Sequence, residues 1–296
     1  MSDDKSLNVS SEKTCDCKEN HLNCLTAKEW IKAQLGVWEF NYEKRDIRDK
    51  TIHPAVFPIS LAKKVVSLFT HKGELVLDPF CGIGTTLIAS RDLERNAVGF
   101  DLKSEYCEQS NSRLSQETLS NNSNQVVICD DARNITEYLK NETVKLVFTS
   151  PPYANLLNRQ RENKSRRGKE RKNEQYQKVE QYSQDPRDLG TLDIDDFQKE
   201  LTSIYKGIFP LIRKGGHNVI NVADVWWKGE KKGASKRVPI HIYVYNAMLD
   251  AGFKLKNTII WDRLNIVNRI GIFGWPSNYI TMGTTFEYIL DFWKPK

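Results

Sequence analysis

Glu74-Leu75-Val76-Leu77-Asp78-Pro79-Phe80-Cys81-Gly82-Ile83-Gly84-Thr85-Thr86 is the stretch on which the reading of this chain turns. Its first five residues are a short apolar run ending in an acid, which reads as a buried strand. Two glycines follow, where the backbone can turn tightly and pass close to a ligand without a Cβ clash. A helix is then expected from Thr85 to Arg95. The next apolar run, Ala97-Val98-Gly99-Phe100-Asp101, again ends in an acid. Strand, glycine turn, helix and a second strand closed by an acid form the unit in which such an acid binds ribose hydroxyls. The third glycine of the dinucleotide fingerprint is absent.

The same rhythm extends outward. A polar helix is expected from Ser104 to about residue 118, with strands at Val126-Val127-Ile128-Cys129-Asp130 and Val144-Lys145-Leu146-Val147-Phe148. Strands alternating with helices at this spacing predict an α/β fold with a doubly wound, mostly parallel sheet. Upstream, Leu25, Trp30, Ile31, Leu35 and Trp38 suggest an amphipathic helix over 23–38, after a polar and loose start. A second helix is expected over Ile59–Thr70. Downstream, a helix over Ile194–Arg213 ends at Gly215-Gly216, another covers about Ile240–Leu249, and strands are expected at 218–222, 258–261 and 288–292.

Thr149-Ser150-Pro151-Pro152-Tyr153 closes the fourth strand. Two prolines fix φ and push the residues before them toward extended geometry, which makes a stiff loop. Stiffness of this kind can position a catalytic group. The prolines lack N–H donors, so their carbonyls offer acceptors only. Ser150 adds a hydroxyl and Tyr153 a flat face. An acceptor pair beside an aromatic plate suits a planar base with an exocyclic amine, held flipped out of a duplex.

These two segments resemble the amino-methylating DNA methyltransferases that use S-adenosylmethionine. The resemblance covers residues 50–155 closely and 190–296 more loosely. It implies a Rossmann-like fold of the class I methyltransferase type. It also implies a cofactor site built from Asp78, Phe80, Gly82, Gly84, Thr85 and Thr86, with Asp101 on the ribose and Asp131 and Ala132 near the adenine. His53-Pro54-Ala55-Val56-Phe57-Pro58 is similar to the segment that packs beside the methionine moiety, which adds Pro54 and Phe57. Ser150, Pro151, Pro152 and Tyr153 are similar to the signature of cytosine-N4 enzymes; adenine-N6 relatives more often carry Asp or Asn at the position of Ser150. The alternatives are therefore N6-adenine methylation, guanine-N2 methylation of RNA, or a non-catalytic nucleic-acid-binding module. Carbon-5 methylation needs a cysteine nucleophile, typically in Pro-Cys, and no Pro-Cys occurs. The resemblance further implies double-stranded DNA as partner, a cytoplasmic location, and a cognate restriction endonuclease that acts on the same site without being a stable subunit.

Residues 1–50 read as a polar and helical extension and 51–296 as the methyltransferase domain, with 154–190 a basic insertion expected to contact DNA. Arg159–Lys172 holds eight basic and two acidic residues, and Lys228–Arg237 five and one. Basic loops beside a base pocket can neutralise phosphates. Asn265–Tyr279, with Arg269, Trp275 and Asn278, is a further candidate surface. A 39% hydrophobic content excludes global disorder, and no eighteen-residue apolar run is present to span a membrane. The N-terminus shows no apolar secretory segment. Six cysteines without framework spacing suggest reduced thiols. Cys15, Cys17, His21 and Cys24 offer zinc-type ligands in an uncommon spacing, read here as surface thiols, and no metal site is assigned.

Overall fold

The computed structural model describes residues 5–17, 22–44, 46, 56–116, 122–156, 185–227, 236–265 and 283–296. In chain order its elements are α1 (Ala27–Ala33), β1 (Val37–Glu39), α2 (Ile59–Phe69), β2 (Leu75–Asp78), α3 (Thr85–Asp92), β3 (Asn96–Asp101) and α4 (Ser104–Ser115). They continue with β4 (Gln125–Cys129), α5 (Ile135–Tyr138), β5 (Val144–Thr149), α6 (Ile194–Leu211), β6 (Ile212–Val222), β7 (Val225–Trp227), β8 (Lys236–Val238), α7 (Ile240–Asp250), β9 (Lys254–Asp262) and β10 (Phe286–Trp293). Eight strands form one sheet in the order β1-β9-β10-β6-β5-β2-β3-β4, and β7 and β8 form a separate hairpin. Only β10 runs antiparallel to its neighbours, β6 and β9. This is the doubly wound, mostly parallel, Rossmann-like sheet expected from the sequence.

Period-2 alternation explains why both faces are covered. Leu75, Leu77, Val147, Ile220 and Leu290 point into the core built with α5, α6 and α7. Val76, Leu146, Phe148, Val219 and Ile289 point into the opposite core, with α2 and α3. Helix α6 supplies Phe197, Leu201, Ile204, Tyr205, Ile208 and Leu211, one apolar stripe at helical spacing. Among the described residues no helix is long and apolar enough to cross a membrane.

Three differences from the sequence reading bear on the architecture. The helix expected over 23–38 stops at Ala33, and Trp38 lies in β1, paired in parallel with Trp261 of β9. A capping box between Thr26 and Glu29 starts that helix, but it buries nothing, and Ile31 and Leu35 are exposed. Trp38 is a sheet residue that happens to lie in helical phase with the others. The glycine pair expected to end α6 lies inside β6, because the chain turns directly from Leu211 into Ile212. Gly215 takes a left-handed φ of 74°, and a Cβ at Gly216 would meet Ile212 Cγ2 at 2.6 Å. Residues 5–17, read as loose, run along the amino edge of the sheet. There Leu7 N donates to Tyr138 O (2.9 Å), Asn96 Nδ2 to Ser10 O (2.9 Å), Arg213 Nη2 to Ser11 O (2.5 Å) and Thr14 N to Lys72 O (2.8 Å).

Candidate active site

From β2 the chain winds outward through β3 to β4, then returns to place β5 on the other side of β2. The strand order reverses there, and the carboxyl ends of β2 and β5 open a crevice in which such sheets bind ligands. One cleft at this edge is lined by residues from four strand ends. Asp78 to Ile83 follow β2, Asp101 to Lys103 close β3, Asp130 to Arg133 follow β4, and Ser150 to Tyr153 follow β5.

Backbone hydrogen bonds hold the glycine loop against β3. Cys81 N donates to Phe100 O (2.8 Å), and Gly82 N to Asp101 Oδ2 (2.8 Å). Lys103 N occupies the other carboxylate oxygen at 2.9 Å, so Asp101 is clamped from both sides with its remaining lone pairs available to the cleft. The loop comes this close because of Gly99, where a Cβ would lie 2.8 Å from Cys81 Cβ. Gly82 and Gly84 adopt φ of 51° and 79°. Burial pushes Asp101 up to about 6, against the pull of its two amide bonds. Burial likewise pushes Asp78 up to about 6, with the Thr149 and Thr86 hydroxyls and the Phe80 amide pulling the other way. Carboxyls raised in this way cost stability at neutral pH and are relieved as pH falls through 6. Both stand on the sheet edge that lines the cleft, and carboxyls perturbed in this way cluster at functional sites.

Ser150-Pro151-Pro152-Tyr153 faces this loop across the cleft. The Tyr153 hydroxyl accepts a hydrogen bond from Ala223 N at 3.0 Å, just past β6, which fixes the ring. Below it Ala154 is buried at φ 49°, and Asn155 N donates to Leu192 O at 2.8 Å. Phe57 packs tilted against Phe148, with ring centroids 5.0 Å apart, and contributes to the cleft wall. Asp131 is buried and neutralised by Arg133, whose Nη1 donates to its two oxygens at 3.0 and 2.9 Å.

Of the residues singled out from sequence, Phe57, Asp78, Phe80, Gly82, Thr85, Asp101, Asp131, Ala132, Ser150, Pro151, Pro152 and Tyr153 meet in this cleft. Gly84 and Thr86 stand behind its wall. Gly84 is needed for its left-handed turn and its contact with Ser110 rather than for a ligand's approach. Pro54 lies outside the described residues, as do Arg159–Lys172, residues 228–235, and Arg269, Trp275 and Asn278. Of the second basic loop, Lys236 and Arg237 lie on β8, paired with Trp227 and Trp226 of β7. Sequence reasoning did not single out Lys103, Tyr106, Arg187, Asp188 and Ile204, which also line the cleft. The signal for Asp188 was an Asx cap, since its carboxylate accepts from Gly190 N at 2.7 Å, but it sits in a stretch without apolar periodicity. His21 lies outside the described residues, and Cys15, Cys17 and Cys24 are half-buried rather than surface thiols.

Residues 2–112 match a family model described as DNA methylase, of the N6 and N4 class. The chain is 31% identical over 119 residues to the type II methyltransferase M.BglI of Bacillus subtilis, covering 40% of this chain and 33% of that protein. It is 33% identical over 82 residues to the type II methyltransferase M.HpaI of Haemophilus parainfluenzae, covering 28% and 26%. These matches span a third or less of the length of those relatives. A Thermus thermophilus protein, assigned as a DNA modification methylase and solved with S-adenosyl-L-methionine, is 25% identical over 56% of this chain and 51% of that one, at a TM-score of 0.36. The part of the chain that carries the glycine loop and Asp101 is thus similar to the DNA methylases of the N6 and N4 class.

Proposed function

We propose that the protein is an S-adenosylmethionine-dependent DNA methyltransferase that modifies an exocyclic base amine, cytosine N4 within a specific duplex site. The observation that carries this reading is the meeting of Ser150–Tyr153 with the Gly82 loop and Asp101 in one cleft at the switch point. The cofactor's chemistry fits these residues: a clamped carboxylate can accept from two ribose hydroxyls, and the Phe57 and Phe80 rings give an apolar wall. When bound, S-adenosylmethionine supplies an electrophilic methyl group on a sulfonium.

The rest falls to the chain. Tyr153, held by Ala223 N, presents its face to a flipped base. Ser150 Oγ and the Pro151 carbonyl accept hydrogen bonds from the amine, which draws its lone pair out of ring conjugation and aims it at the methyl group. Ser at position 150, in place of an acid or amide, favours cytosine N4 over adenine N6. The basic runs Arg159–Lys172 and Lys228–Arg237 would supply phosphate contacts around the cleft. A cognate restriction endonuclease would share the recognition site without sharing a stable interface. Nucleoside mass spectrometry of duplex DNA after incubation with labelled cofactor tests the proposal. N4-methylcytosine is expected; N6-methyladenine would transfer the mechanism to the other base, and no labelled nucleoside would overturn it.

Asp101 gives a separate test. Asp101→Ala is expected to weaken cofactor binding by about 1.5–3 kcal/mol, the worth of a hydrogen bond to a charged group. Only the ionised carboxylate accepts from both hydroxyls. With Asp101 held at about 6, cofactor affinity should therefore fall roughly tenfold between pH 7 and pH 5. In Asp101→Asn that fall should flatten, leaving any share due to Asp78. Calorimetric titration across this range checks both, and an Asn variant with the full wild-type pH dependence would remove Asp101 from the ribose site.

A further inference from the structure

At the opposite edge of the sheet, the N-terminal arm meets the turn between α2 and β2. Four ligand-type side chains converge there: the sulfurs of Cys15, Cys17 and Cys24 and a ring nitrogen of His71 all lie within 4.8 Å of one another. Cys15 Sγ and Cys24 Sγ stand 3.4 and 3.5 Å from the same atom, His71 Nδ1. A ring nitrogen has either one lone pair or one proton, so it can satisfy only one of two thiols by hydrogen bonding. A metal ion among them explains the convergence. Tetrahedral zinc, with Zn–S of about 2.3 Å and Zn–N of about 2.0–2.1 Å, places sulfur and nitrogen about 3.6 Å apart. The two observed separations match that spacing.

We propose that Cys15, Cys17, Cys24 and His71 form a closed Cys3His site for one zinc ion, which clips the N-terminal arm to the amino edge of the sheet. Four protein ligands leave no position open for water or substrate, as in structural rather than catalytic zinc sites. Three thiol protons pass to solvent as the ion binds, and three thiolates with a neutral imidazole leave the centre with one negative charge. The surroundings complement that charge. Arg95, 3% exposed, donates to Asn23 O (3.5 Å) and Thr70 O (2.7 Å), the residues directly before Cys24 and His71. Lys13 Nζ donates to Cys17 O at 3.1 Å, and Lys72 lines the same hollow. Each backbone segment is separately fixed: Asn23 Nδ2 donates to Leu68 O at 2.6 Å, Thr14 N to Lys72 O at 2.8 Å, and His71 N to Glu74 Oε2 at 2.7 Å. The ligands are thus held before any ion arrives. The spacing also shows why sequence alone missed the site: the fourth ligand is not the nearby His21 but His71, 47 residues beyond Cys24.

The test uses the untagged chain of 296 residues, purified under reducing conditions and exposed to Zn²⁺ or Co²⁺. One zinc per chain by elemental mass spectrometry is expected, as is the visible absorption of a tetrahedral thiolate site after cobalt exchange. Cys24→Ser and His71→Ala should each lose this absorption, whereas His21→Ala and Cys129→Ser should keep it. Chelation should lower the thermal midpoint of the wild type and leave that of Cys24→Ser unchanged, a difference that survives even if one variant folds poorly. A reduced protein that takes up neither ion would overturn the proposal, as would uptake retained in the Cys15→Ser/Cys24→Ser double variant. None of these readouts depends on methyl transfer.

Discussion

Ser150→Ala should lower methyl transfer by about 10²-fold or more, because it removes one of two acceptors for the reacting amine at the moment charge develops on it. Cofactor affinity should stay within about twofold of wild type, since Asp101 and the glycine loop are untouched. The Pro151 carbonyl remains, so activity falls without vanishing. Tyr153→Ala should add a different loss: roughly 1–3 kcal/mol of base stacking, seen in part as weaker DNA binding. Single-turnover rates with saturating DNA separate the two. Wild-type rates in both variants would reduce the double-proline turn to a structural strand ending.

Gly84→Ala should destabilise the fold by about 3 kcal/mol, although only a methyl group is added. The residue sits at φ 79°, where a Cβ costs about 1–2 kcal/mol. That Cβ would also lie 2.1 Å from Ser110 Oγ and 3.1 Å from Ser110 Cβ, an overpacking worth about 1–3 kcal/mol more. Ser110→Ala in the same chain should recover part of the loss by removing the hydroxyl, while the backbone strain persists. Urea denaturation of both variants measures the split. If the double variant were no more stable than Gly84→Ala, the clash would have no part in the loss.

The carboxyl edge of this sheet was legible in the sequence because strands buried on both faces read as plain apolar runs. Asp78, Asp101 and Asp130 are the first polar residues after their runs and Ser150 stands one residue past Thr149, so all four announced themselves at strand ends, and sheet topology gathers them. Features that depend on distant partners were not legible. Trp38 fits a helical spacing and joins the sheet only because β9, more than two hundred residues later, offers it an edge. His71 looks like an ordinary turn residue until the fold brings three thiols to it. Asp188 returns to the cleft from a stretch whose composition gives no period to follow. Gly84 was noticed for a good reason, its place in the loop, yet its φ and its contact with Ser110 account for it better than closeness to a ligand does.

The docked N-terminal arm and β1 draw their partners from the whole breadth of the chain. Leu7 needs the carbonyl of Tyr138, Ser11 needs Arg213, and Trp38 needs Trp261. Thr14 meets Lys72 and Ser10 meets Asn96 within the first hundred residues, whereas Ser11 and Trp38 find their partners about two hundred residues further along the chain, roughly 10–45 s later at ordinary elongation rates. Until then Trp38 has no sheet edge to pair with and stays a hydrophobic surface open to chaperones.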